Sequence, residues 1–95
     1  MEHLYFVYMM TNQRHTLFYT GMTNELKTRA WQHKTGKVKG FTSRYNLNKL
    51  VWYEDHEWVQ DAIAREKQIK RWSQKKKIAL IEKMNPDWKD LYYRL

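Results

Sequence analysis

Apolar and polar positions follow two periods along this chain. The run LYFVYMM, Leu4 to Met10, is rich in strand formers and too short for a stable helix, so it predicts a β-strand. The polar TNQRH predicts a turn. TLFYTGM, Thr16 to Met22, predicts a second strand that pairs with the first as a hairpin. A turn centred between Gln13 and Arg14 sets Tyr8 opposite Tyr19, but no glycine pins that register. A helical pattern follows, with Thr23 or Asn24 able to cap it, Glu25 in its first turn and Gly36 at its end. KVKGFTSRYNLNK predicts a basic loop and KLVWYE, Lys49 to Glu54, a third strand. A second helix is predicted from about Glu57 to Trp72, and Ser73 caps a third, QKKKIALIEKM. Asn85 before Pro86 reads as an N-cap followed by proline at the first helical position, opening a short helix over DWKDLYYRL. The order ββαβαα plus a C-terminal tail predicts an α+β fold, one domain over residues 1–95.

Charged residues interrupt the apolar stripes. On the second helix Val59, Ala62, Ile63, Ile69 and Lys70 share a sector of roughly 120° at about 100° per residue, and Glu66 lies near its middle. A carboxylate buried alone is costly, so Glu66 needs a cation, a metal or hydrogen bonds. On the first helix Leu26 and Ala30 mark the apolar side, and Arg29 and His33 lie close to it. Snorkelling of Arg29 explains one such instance. Two helices with the same feature suggest a shared site for Arg29 and Glu66. A guanidinium and a carboxylate beside tyrosines suit phosphate chemistry, because arginine forks onto phosphate oxygens and a carboxylate holds Mg²⁺.

Composition narrows the partners. Eighteen Lys and Arg against ten Asp and Glu give a net charge of +8. That favours a polyanion, nucleic acid first. Without cysteine there is neither a disulfide nor a thiolate metal site. His3, His15 and His56 lack metal-ligand spacing, so no zinc is expected. No apolar run approaches a membrane span and no signal-peptide core is visible, so a cytoplasmic protein without membrane attachment is expected. Tyr45, Trp52, Tyr53 and Trp58 are expected in the core, and the KKK run, Lys75 to Lys77, on a solvated face or against DNA phosphates.

The residues also resemble a known family. FVY at Phe6–Tyr8 and YTG at Tyr19–Gly21 are similar to the paired signature of the GIY-YIG nuclease superfamily. Arg29 and His33 in LKTRAWQH, Glu66 in AIAREKQIKRW and the tail MNPDWKDL follow in the family's order. The chain looks like a small stand-alone bacterial member, related to the N-terminal nuclease domain of the excision-repair subunit UvrC. The resemblance implies a three-stranded antiparallel sheet packed with helices and a Mg²⁺- or Mn²⁺-dependent DNA endonuclease. In that scheme Tyr8 or Tyr19 takes the proton of the attacking water, with Tyr8 the first candidate. Arg29 binds the phosphate, Glu66 ligates the metal, and His33 orients a tyrosine or the water. Gly21, Lys27, Arg44, Lys67, Lys70 and Asn85 are the candidate nucleic-acid contacts.

Two positions depart from the signature: Phe6 replaces its first glycine and Thr20 the isoleucine of its second tripeptide. Neither removes a reacting group. Two other functions stay open, a nucleic-acid-binding module without catalysis and a basic adaptor for an acidic protein. For the nuclease, low sequence specificity is expected unless a protein partner supplies it.

Overall fold

The computed structural model describes residues 3–95. Three antiparallel strands, β1 (Tyr5–Thr11), β2 (Phe18–Thr23) and β3 (Lys49–His56), lie in the order β2-β1-β3. The helices are α1 (Leu26–Lys34), a short α2 (Phe41–Arg44), α3 (Val59–Lys70) and α4 (Gln74–Met84), followed by a 3-10 turn over Leu91–Arg94. The α+β fold with a three-stranded antiparallel sheet is as expected from the sequence.

Strand alternation sends β1 side chains to two cores. Val7 and Met9 pack with Trp52, Ala62, Ile69 and Ile81, beneath α3 and α4. Tyr8 and Met10 pack with Leu26, Ala30, Leu47, Leu50 and Leu91, beneath α1 and the C-terminal turn. The central strand is therefore covered on both faces, which is why its sequence is an unbroken apolar run.

The hairpin register differs from the expected one. Tyr8 pairs with Gly21, and Tyr19 pairs with Met10. The turn is wider than expected because Asn12 organises it. Its carboxamide oxygen accepts from the backbone N–H of Thr16 and Leu17, and His15 takes a left-handed φ of 57°. Tyr19 moves by two positions relative to Tyr8, so both rings stay on one face as diagonal neighbours.

A β-bulge interrupts β1–β3. Met9 pairs with Trp52 and Met10 with Leu50, leaving Val51 unpaired. The bulge turns Val51 and Trp52 to the same core. Its free carbonyl is taken up by the Asn85 side-chain amide at 3.1 Å, which also donates to Lys89 O at 2.9 Å, while its oxygen accepts from Lys89 N. This corrects the expectation that Asn85 opens a helix. It closes α4 as a C-cap and does not open the next helix, which Asp90 caps. It is also buried, with its amide held by backbone.

The basic loop contains α2, whose four residues carry too little periodicity to be read. α1 starts after Glu25, and Thr23 Oγ1 accepts from Glu25 N without capping the helix itself. Trp52 is buried as expected, whereas Tyr45 and Trp58 are exposed. No helix among the described residues is long and apolar enough to cross a membrane.

Candidate active site

The site is built on the α1 face of the β1–β2 hairpin. Tyr8 projects from the central strand and is 1% exposed. Its hydroxyl lies 2.8 Å from His33 Nε2. His33 stands one turn after Arg29 on α1 and is 2% exposed. Its other ring nitrogen lies 3.0 Å from Thr42 Oγ1 on α2. The Tyr8 phenol keeps its proton, because burial, then the neighbouring Tyr19, push its pKa above the ordinary tyrosine value. The phenol therefore donates to Nε2, and the ring proton sits on Nδ1 and is donated to Thr42. Burial and then the Arg29 charge push the His33 imidazole down to about 4, so the ring is neutral at pH 7.

Tyr19 completes the cluster. Its ring centroid is 6.2 Å from that of Tyr8 and 5.2 Å from that of His33. Both phenols lie over Gly21. A Cβ there would stand 2.6 Å from the Tyr8 hydroxyl and 2.8 Å from the Tyr19 ring. Gly21 is thus a bare slot in mid-strand filled by Tyr8 itself. The Tyr8 phenol occupies the space over this glycine.

Arg29 is half-buried, and its Nη1 donates to Gln32 Oε1 at 3.2 Å. Its charge opposes the upward push on Tyr8 and adds to the downward push that burial exerts on His33. Glu66 rides on α3, whose buried Ala62 and Ile69 pack on the opposite face of the sheet. Its carboxylate is nevertheless among the charges that raise the Tyr8 phenol. Lys70 Nζ approaches it at 3.6 Å, a loose contact that leaves carboxylate oxygens free. Glu66 is the carboxylate that could hold a hard divalent cation here.

Tyr8, Tyr19 and His33 thus meet on one face, with Arg29 one turn before His33 on α1, while Glu66 on α3 is among the charges acting on Tyr8. The two central members are buried, so the site is a covered cluster with a half-exposed rim. Lys27 is exposed on α1, Arg44 on α2, and Lys67 and Lys70 on α3. Thr42 was missed by sequence reasoning. It lies in a stretch without periodicity, and its only relation to His33 is spatial.

The two departures from the signature stay clear of the reacting groups. Phe6 packs edge-on against Tyr53, with centroids 6.4 Å apart. Thr20 pairs with Met9 and points to the other core, where its buried hydroxyl has no hydrogen-bond partner among the described residues.

Comparisons with known proteins bear on the family and the fold. Residues 4–79 match the profile of the GIY-YIG catalytic domain. A UPF0213 protein of Bacillus pumilus is 33% identical over 66 residues, covering 70% of this chain and 67% of the relative. A UPF0213 protein of Staphylococcus aureus is 31% identical over 78 residues, covering 82% and 94%. The solution NMR structure of the UPF0213 protein BH0048 from Bacillus halodurans shares the fold, with a TM-score of 0.58 over 92% of both chains at 23% identity.

Proposed function

This chain belongs to the GIY-YIG catalytic domain family, and from that premise we propose that it is a divalent-metal-dependent endonuclease that hydrolyses DNA phosphodiester bonds. The observation that carries the reading is the chain of hydrogen bonds Tyr8–His33–Thr42 beside a guanidinium. A phenol with a raised pKa is a poor base by itself. Bonded to a neutral imidazole, it becomes a relay. As the water oxygen attacks phosphorus, Tyr8 oxygen takes the water's proton and passes its own to His33 Nε2. The Nδ1–H bond to Thr42 holds the ring in the tautomer that can accept. Arg29 binds the phosphate and stabilises the charge that builds on it. A bound phosphate also offsets the Arg29 charge that otherwise opposes protonation of His33. Tyr19 and Arg29, the half-exposed members, meet the substrate, and the buried pair takes the proton.

The donor set suits Mg²⁺ or Mn²⁺. Among the described residues no three His, Cys, Asp or Glu side chains gather as a cage. A single carboxylate, completed by water and substrate phosphate oxygens, is the usual way a protein holds Mg²⁺. Glu66 would hold it, and the bound ion would supply positive charge to the phosphate and the leaving oxygen. Lys27, Arg44, Lys67 and Lys70 are exposed cations for the flanking phosphates. The compartment that fits a DNA substrate and a cysteine-free chain is the cytoplasm, and repair or recombination is the setting.

The test is Glu66→Gln, assayed for Mg²⁺-dependent nicking and thermal melting on one preparation. Nicking is expected to collapse with the melt intact, because the Lys70 contact is loose and the amide is cheaper to bury. Unchanged nicking by a folded variant overturns the metal role. A large fall in melting temperature identifies Glu66 as a structural ion-pair partner. Wild-type protein that binds DNA without nicking it is the binding module.

A further inference from the structure

We propose that the aromatic and basic surface formed by α2 and the α3–α4 corner binds an unpaired stretch of DNA, so that the preferred substrate carries a single-stranded segment beside the cut. The proposal rests on the nuclease reading and deepens it.

Charge segregates along the chain. Between Glu25 and Glu54 no acidic residue occurs, and the same holds between Glu66 and Glu82. These two acid-free segments supply α2 with its flanking loops and the α3–α4 corner. Lys37, Lys39 and Arg44 lie on the first part, and Lys75, Lys76 and Lys77 on the second.

The helix α2 has two sides with different work. Thr42 points inward and bonds His33. Phe41 and Tyr45 point outward, 45% and 43% exposed, with ring centroids 4.9 Å apart. The Arg44 guanidinium lies 5.7 Å from the Tyr45 ring. Phe41 is also one wall of a groove of about 310 Å³, shared with Phe18, Trp72, Gln74 and Lys77. On its other side it borders a second hollow with Lys39, Arg44 and Tyr45. Trp72 carries Lys76 Nζ 4.5 Å from its ring. Phe41 therefore joins the two acid-free segments into one surface at the start of the edge strand β2.

Exposed ring faces interleaved with cations match what a single strand presents. Its bases stack on aromatic rings, and its phosphates meet Lys and Arg. Duplex DNA offers the phosphates but keeps its base faces stacked internally, so it would use the cations and leave Phe41 and Tyr45 idle. An acidic protein would likewise need the charge without the ring faces. The surface also adjoins the chemistry. Phe41 is next to Thr42, which bonds His33, which bonds Tyr8. A strand seated on α2 would run alongside the reacting pair.

The test is the double variant Phe41→Leu/Tyr45→Leu, which keeps apolar side chains and leaves Thr42 in place. Metal-free anisotropy with a labelled oligothymidylate and a labelled blunt duplex measures binding. Affinity for the single strand is expected to fall about tenfold or more, with duplex affinity and melting unchanged. Mg²⁺-dependent nicking should fall on a flapped duplex and persist on a plain one. Equal losses on both DNAs, or no loss on either, overturn the surface. Plain-duplex nicking that continues in that case leaves the nuclease standing. Ring-dependent single-strand binding by a wild-type protein that nicks nothing supports the surface and removes the nuclease.

Discussion

His33 ties stability to pH in a direction set by its surroundings. Its folded pKa of about 4 lies below the ordinary 6.5. Between these values the unfolded chain binds the extra proton, so stability is full above pH 6.5 and is lost as pH falls toward 4. The loss is on the order of 2 kcal/mol once partial solvent screening is allowed for. Urea titrations from pH 7 to pH 4 should show this slope in wild type and a shallower one in His33→Gln, whose nicking should also fall if the ring receives the Tyr8 proton. An equal slope in both proteins assigns the acid loss to other groups. Thr20 is the opposite kind of residue. Its hydroxyl is buried on the face away from the tyrosines, without a partner among the described residues. Thr20→Val removes that hydroxyl at nearly constant shape and is expected to stabilise by about 1 kcal/mol, read as a rise in the denaturation midpoint. A fall in the midpoint would mean that the hydroxyl has a partner after all.

Elements in this protein are joined by side chains at their irregular points. The β3 bulge would leave Val51 O unsatisfied in the core, and Asn85 at the end of α4 supplies the missing donor. The same amide gathers Lys89, so one residue links the sheet, α4 and the C-terminal segment. Asn85→Ala strands the buried carbonyl and loses both Lys89 bonds, with an expected cost on the order of 2–3 kcal/mol. Chemical denaturation measures it. The loss should appear without a change in the salt dependence of DNA binding, since Asn85 is covered by protein. A weakened DNA complex at undiminished stability would restore Asn85 to the binding surface. The short α2 is likewise joined to α1 by Thr42 and His33, which places a surface loop under the control of a buried ring.

At the scale of the whole molecule, the +8 charge acts as a field. A duplex engaged through roughly four to eight phosphates should lose affinity steeply as salt rises, because each contact releases condensed counterions. The logarithm of the binding constant against the logarithm of salt concentration is expected to fall along a line of slope about −4 to −7. A flat line would favour an acidic protein partner. The two-sided sheet also separates the field from the folding energy. The cores hold the aromatic and aliphatic side chains, while most of the cations stand outside them.

Local pattern determined the strands, the three main helices and their order, because each carries a hydrophobic period that survives without neighbours. It also singled out Arg29, His33 and Glu66, since charged side chains near inward stripes are costly enough to stand out, while Tyr8 and Tyr19 stood out only through the resemblance of FVY and YTG to the family's signature. Tertiary structure decided what those residues touch. The register of Tyr8 opposite Gly21 depended on Asn12 holding a wide turn, a geometry that composition does not encode. The glycine was visible in the sequence, and its reason, two phenols crossing one strand position, was not. Thr42 and α2 gave no signal, because a four-residue helix has no period and its partner lies nine positions away. Asn85 misled, because Asn before Pro suits a helix start by local preference, while an unpaired carbonyl on β3 claimed its side chain. Burial of Tyr8 and His33 was beyond reach for the same reason. Whether a polar group faces water depends on what folds over it, and here α1 and α2 close over the central strand.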